Sequence, residues 1–297
     1  MPLRSFDDLF SDADSKRPAL PVAVAGGADP TVLEAVRAAC TRGWVVPILV
    51  GDESAIRRCA TEQAVPLDGI TIVNAADPAA AAVDLVRSGT ARLVMKGQVA
   101  TPALLHAMLD PDRGLRTGSV ICQVVLMEIA PTDRRFLLAD TGICISPTVE
   151  QKGDILRQAV QVAHKLGEAT PRVAVLAATE TVQEAMPETK DAAELTRRAQ
   201  AADFPGCRVE GPLSFDLAYS ADAAAKKRSG GDVAGAADVL LFPNLLAANL
   251  TVKAIMYTAN CRFGGILCGA ACPVVFMSRA DTTATRLHSL ALALAVV

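Results

Sequence analysis

Residues 273–281 read Pro273-Val-Val-Phe-Met-Ser278-Arg279-Ala280-Asp281, and a helix-like stretch runs on from Thr282 to the end. The apolar run predicts a buried strand of the parallel type, because a strand covered on both faces is continuously hydrophobic rather than alternating. A hydroxyl, a fixed cation and a carboxylate then stand within four residues, where strand hands over to helix. Open α/β sheets bind ligands at the carboxyl ends of their strands. Ser278, Arg279 and Asp281 are therefore candidate site residues on chemistry and position.

Outward from this stretch the same alternation covers the chain. Candidate strands are 21–25, 45–50, 70–74, 92–95, 120–128, 135–139, 172–177, 208–210, 239–242, 265–268 and 274–277. Helix-periodic segments such as 30–42, 78–87, 148–166 and 245–259 lie between them. This order predicts βαβ units, hence an α/β fold of mostly parallel sheet flanked by helices. Strands 120–128 and 135–139, separated by Pro131-Thr132-Asp133, predict instead an antiparallel hairpin at a sheet edge or domain junction.

A weak internal echo pairs Val22-Ala-Val and Thr31-Val-Leu-Glu-Ala with Val173-Ala-Val and Thr181-Val-Gln-Glu-Ala. Each copy reads as a strand, a short loop and an opening helix. Two lobes are expected: residues 1–142 plus 272–297, carrying the 278–281 motif, and residues 143–271. A cleft between lobes is a common place for ligands.

Composition excludes several classes. A net charge of −3 without a basic stripe argues against nucleic acid as a partner. No apolar run reaches the ~18 residues of a membrane span. The polar, acidic first 16 residues lack signal-peptide regions, so a cytoplasmic location is expected. The eight cysteines show no CxxC spacing, and His106, His164 and His288 are the only histidines. No metal site is expected, and reduced thiols suit the cytoplasm.

Two further strand ends carry polar groups. In Met95-Lys96-Gly97-Gln98 a lysine and a glycine precede Thr101-Pro102, read as N-cap and first helical residue. Lys96 and Gly97 could hold a phosphate on an ammonium and backbone N–H groups; alternatively Lys96 is a solvated side chain beside a turn. In Gly114-Leu-Arg116-Thr117-Gly118, Arg116 and Thr117 suit anion capture, although such loops are common on surfaces. For the opening motif, Arg279 can neutralise a phosphate or oxyanion, Asp281 can accept a proton, and Ser278 can orient a thiol or hydroxyl. Asp281 is equally readable as the N-cap of the last helix.

An ordered series of segments carries a resemblance. It comprises LVMKG (93–97), GLRTG (114–118), FLLADTGI (136–143), ISPTVEQKGDI (145–155), ETVQEAMPETKDAAEL (180–195), EGPLSFDLA (210–218), AADVLLFPNLLAANLTVKAIMYTAN (236–260) and VVFMSRAD (274–281). In these the chain resembles the phosphate acetyltransferase/butyryltransferase family, and is more similar to the butyryl-type members. The resemblance implies a two-lobed fold like that of isocitrate and isopropylmalate dehydrogenases. It also implies a homodimer and a reaction without metal or nicotinamide, in which acyl-CoA and phosphate are substrates and no cofactor is resident.

On that likeness the coenzyme A thiol attacks an acyl phosphate directly. Ser278 would position the thiol, and Arg279 would stabilise phosphate and the tetrahedral oxyanion. Lys96 and Arg116 would line the phosphate or coenzyme A side. Asn249 and Lys253, one helical turn apart, would reach in from the second lobe. Acetyl-type members carry a general-base Asp seven residues after the motif serine. Thr285 stands there in this chain, so the base role falls on Asp281 by proximity. His106 takes the place of an arginine found in many members and reads as a helix-surface histidine. Cys144 reads as a structural thiol rather than a nucleophile. The competing expectations are a non-catalytic acyl-CoA or acyl-phosphate sensor, and a metal- and NAD-dependent dehydrogenase.

Overall fold

The computed structural model describes residues 2–15, 18–227, 230–276, 278 and 280–297. Arg279, the cation of the opening motif, lies outside the described residues, as does Met277 of the expected strand 274–277. The chain divides into two compact units. A terminal unit holds Phe6–Ser119 and Gly264–Val297, and a central unit holds Met1–Ser5 and Val120–Phe263. The boundaries thus fall at 119/120 and 263/264, whereas the sequence reading had them at 142/143 and 271/272. The cause is the 120–139 hairpin, whose second strand pairs in parallel with Val239–Leu241. That pairing carries the hairpin into the central unit and leaves it away from any free edge on that side.

In the terminal unit the strands are β1 (Leu20–Ala25), β2 (Val45–Gly51), β3 (Thr71–Asn74), β4 (Leu93–Lys96), the later part of β10 (Cys261–Cys268) and β11 (Val274–Val275). Their order is β3-β2-β1-β4-β11-β10. All neighbours are parallel except β10 and β11, which form a hairpin. The helices are α1 (Phe6–Ser15), α2 (Pro30–Thr41), α3 (Glu53–Glu62), α4 (Pro78–Arg87), α5 (Thr101–Leu109) and α11 (Thr283–Val296). In the central unit β5 (Cys122–Ile129), β6 (Arg134–Ala139), β7 (Arg172–Leu176), β8 (Arg208–Leu213) and β9 (Val239–Leu241) stand in the order β5-β6-β9-β7-β8. Only the β5–β6 pair is antiparallel. Helices α6 (Val149–Lys165), α7 (Pro187–Gln200), α8 (Phe215–Tyr219), α9 (Ala221–Lys226) and α10 (Leu245–Thr258) complete it.

The α/β class and all eleven strand positions agree with expectation, and the differences have local causes. Strand β10 begins four residues early because Arg262 is neutralised by Glu128, a carboxylate that is itself buried. The echo at 181–185 opens no helix: Pro187 sets the first turn of α7, and Thr189 ties the preceding loop through Gln183 and Met186. Helix α1, not anticipated in an acidic leader, buries Phe6, Leu9 and Ala13, with Phe6 stacked on His288 of α11.

The motif strand is buried as its composition predicts, but it is parallel only to β4 and antiparallel to β10. Val274 and Val275 are fully buried, paired with Val94 and Met95 on one side and with Leu267 and Ile266 on the other. Helix α11 packs so closely that a Cβ on Gly264 would stand 2.8 Å from the backbone of His288 and Ser289. Burial of Leu290 and Leu292 on this helix contributes about 1.5–3 kcal/mol each.

Candidate functional site

Register brings the terminal-unit candidates together. Ala25 pairs with Lys96, and Met95 with Val275, so β1, β4 and β11 end side by side. Their carboxyl ends present Gly26-Gly27, Lys96-Gly97-Gln98 and, two residues beyond Phe276, Ser278. The Gly97 N–H donates to Ala25 O at 2.8 Å, and the Gln98 N–H to Gly26 O at 2.7 Å. Only glycines allow this approach. A Cβ on Gly97 would lie 2.1 Å from Gly26 O, and Gly26 itself has φ +79. Helix α5 then starts at Thr101 behind an Ala100 cap, one residue earlier than read from Thr101-Pro102.

Lys96 is 3% exposed, and its Nζ lies 6.0 Å from the centroid of the Phe276 ring. The solvated reading of this lysine is therefore excluded. A buried ammonium at a strand end, next to backbone N–H groups, can hold an anion. His106 is exposed on α5.

Beyond β11 the chain folds into a tight turn. Asp281 N–H donates to Ser278 O at 3.3 Å, Ser278 N–H donates to Asp281 Oδ2 at 2.6 Å, and Ala280 N–H reaches Ser278 Oγ at 3.3 Å. Asp281 is thus not the helix cap. That place belongs to Thr282, whose hydroxyl accepts the N–H of Thr285 at 3.2 Å. Thr285, standing where an acid was sought, is buried and pairs with the Thr282 hydroxyl at 3.0 Å. The Ser278 side chain is exposed.

Arg116 and Thr117 are anchored elsewhere in the same unit. Arg116 bridges Ala270, Leu115 O accepts from Ala271 N, and Thr117 Oγ1 donates to Gly269 O at 2.6 Å. Gly269 and Ala270 precede β11 while Ser278 follows it. The loop therefore holds to the amino side of the strand, with Arg116 exposed.

Asn249 and Lys253 lie on α10 of the central unit. Asn249 Nδ2 donates to Thr141 O at 3.4 Å, and Lys253 is exposed. Thr141 belongs to a loop at the carboxyl end of β6 that sequence reasoning matched without assigning a role. Its organiser is the buried Asp140. Oδ1 accepts the N–H groups of Gln123, Gly142 and Ile143, and Oδ2 that of Cys144 at 2.6 Å. Burial, with Asp140 beside it, pushes the Cys144 thiol up to about 12. A thiol so weakly acidic is a structural one.

Two contributors were missed from sequence. Gly26-Gly27 carried the signal of a glycine pair directly after a strand. Arg286, 2% exposed in the first turn of α11, carried none: its Nε donates to Thr31 Oγ1 at 2.9 Å and its Nη2 to Ser278 O at 3.5 Å.

Comparison with known proteins gives a consistent picture. Residues 74–294 match the family model described as Phosphate acetyl/butaryl transferase. The chain is 40% identical to the phosphate butyryltransferase of Clostridium acetobutylicum, over 98% of its own length and 97% of that protein's. It is 38% identical to the phosphate acetyltransferase of Thermotoga maritima, over 91% of its length and 93% of the relative's. A branched-chain phosphotransacylase from Enterococcus faecalis superposes with a TM-score of 0.82 at 32% identity, covering 93% of this chain and 98% of the other.

Proposed function

The chain belongs to the phosphate acetyl/butyryl transferase family, and from that premise we propose that it moves a short-chain acyl group reversibly between coenzyme A and inorganic phosphate. The observation that carries this reading is the likeness to a phosphate butyryltransferase along nearly the whole chain. The strand-end geometry supports it. A buried ammonium, a tight pair of glycine turns and an exposed serine hydroxyl stand together where an anionic substrate is best held.

In the direction of acyl-CoA formation, the thiol of coenzyme A gives up its proton and its sulfur attacks the acyl phosphate carbonyl. The C–S bond forms, the tetrahedral oxyanion collapses, and the C–O bond to phosphate breaks. Free thiols of pKa ~8.5 are mostly protonated at neutral pH, so a proton acceptor near the sulfur is required. Ser278 orients the thiol, Lys96 binds phosphate, and Arg279 offsets the oxyanion charge. Asp281 takes the thiol proton. Gly97 opens its turn to the phosphate, and Arg116 with Thr117, on the amino side of β11, serve the coenzyme rather than the reacting phosphate. Asn249 and Lys253 contact the coenzyme from α10. Nicotinamide has no part, because the transfer moves no electrons, and the reading calls for no resident metal. Coenzyme A and phosphate act as substrates.

We read the protein as a homodimer of the cytoplasm. Leu246, Leu250 and Tyr257 are exposed along α10 and favour self-association. No helix among the described residues is long and apolar enough to cross a membrane. The test is phosphate-dependent release of coenzyme A from acetyl-CoA and butyryl-CoA, with arsenate as an alternative acceptor. Release from neither ester sinks the reading, and tight coenzyme A binding without turnover favours a sensor instead.

A further inference from the structure

Buried arginines are rare and demand partners, because removing a guanidinium from water is costly. Arg286 is 2% exposed, and its partners are neutral: the Thr31 hydroxyl at 2.9 Å and the Ser278 carbonyl at 3.5 Å. Among the described residues it makes no salt bridge. Asp29 and Asp281 favour its charge from further away, while burial opposes it. The guanidinium stays charged regardless.

These contacts form a chain across the carboxyl ends of two strands. Asp29, at the N-cap of α2 after β1, accepts the Thr31 hydroxyl at 2.7 Å and the Val32 N–H at 3.1 Å. Thr31 Oγ1 accepts Arg286 Nε, and Arg286 reaches Ser278 O. Ser278 is therefore held at both backbone groups, its N–H by Asp281 and its carbonyl by Arg286. A residue gripped at both its N–H and its carbonyl has little backbone freedom, and the direction of its side chain is set with it.

Resting on the phosphate acyltransferase reading, we infer that Arg286 is a positioning residue, which fixes the Ser278 turn against the α2 N-terminus through Thr31 and so aims the Ser278 hydroxyl. Its loss leaves the substrates' own contacts in place and misaligns the reacting groups. Misplacement of about 1 Å is enough to slow an enzyme by about a hundredfold.

The test uses the full chain with Arg286→Gln, Thr31→Val and the double variant. For Arg286→Gln, kcat is expected to fall by about tenfold or more with KM for acyl-CoA within about twofold, the pattern of an interaction realised in the transition state. Thr31→Val should lower kcat in the wild-type background and change little once Arg286 is Gln, because the two act in one chain. Amide exchange in the peptide spanning residues 276–285 should quicken in both single variants. Arg286→Gln with wild-type kcat and a cooperative melt overturns the inference, as do single-variant losses that multiply independently. Should Arg286→Gln fail to fold, Thr31→Val decides: unchanged kcat and unchanged exchange overturn it. An inactive wild type overturns the acyltransferase reading itself, whereas an active wild type with unaffected variants overturns only the role of Arg286.

Discussion

Asp281 Oδ2 accepts the backbone N–H of Ser278 at 2.6 Å, so the carboxylate closes the very turn that presents the serine. Asp281 is consequently bound to the site's architecture as well as being its proposed base. Asparagine separates the two duties, since its carbonyl oxygen accepts the same N–H but takes no proton. Asp281→Asn should keep the melting temperature and lower kcat by about 10²–10⁴, the usual share of a general base. Asp281→Ala should lose both kcat and thermal stability. An asparagine variant with wild-type kcat assigns Asp281 to the turn alone.

Lys96 offers a test of the anion-binding half of the site. Its amine is held at a strand end with 3% exposure. Lys96→Met keeps the apolar stem, and a cooperative thermal melt checks that the fold survives the loss of the ammonium. KM for phosphate should rise by about tenfold to a hundredfold, corresponding to the ~1.5–3 kcal/mol of a hydrogen bond to a charged group. An unaltered phosphate KM removes the assigned role.

Gly97→Ala is expected to fail for a steric reason. The new Cβ meets Gly26 O at 2.1 Å and Ala25 O at 2.9 Å, both backbone atoms that cannot rotate away. The two strand ends must part, at a cost of about 1–3 kcal/mol in stability and with loss of the phosphate geometry. Thermal melts alongside phosphate KM report both effects. A fully stable, active alanine variant contradicts the close packing of the β1 and β4 turns.

Cys144 should be chemically quiet. With its thiol pushed up to about 12 by burial and by Asp140 beside it, it stays neutral across the working range. Near pH ~8 its thiolate fraction is on the order of one in ten thousand, against about a quarter for an exposed thiol. Below pH ~9 the thiol is neutral in the folded and the unfolded chain alike, and stability falls only as pH climbs from there towards the shifted value, because the unfolded chain ionises first. Alkylation followed by peptide mapping should leave Cys144 among the slowest thiols at pH ~8. Cys144→Ser should keep kcat within about threefold, since no acyl-enzyme is needed. Rapid labelling with loss of activity would falsify the structural assignment.

How legible the site was in the sequence depended on whether its determinants are local. Val274-Val275 could be read as a buried strand, and Ser278 placed at its end, because burial and strand ends leave marks in adjacent residues. The β5–β6 hairpin was visible from its loop, but its membership of the central unit was not, since that follows from pairing with β9 a hundred residues away. Lys96 was ambiguous for the same reason: only the neighbouring strands bury it. Arg286 was invisible because nothing near it in sequence distinguishes a buried guanidinium from a solvated one on a helix. The residues proposed to touch ligands leave marks in their local sequence, and those that hold them in place do not.

The central claim, acyl transfer between coenzyme A and phosphate, is tested most directly by phosphorus NMR of the purified chain with inorganic phosphate and butyryl-CoA or acetyl-CoA. An acyl phosphate resonance should grow in equal measure with free coenzyme A, and should reverse when coenzyme A is added in excess. Release of coenzyme A with only inorganic phosphate remaining, or no release from either ester, contradicts the account.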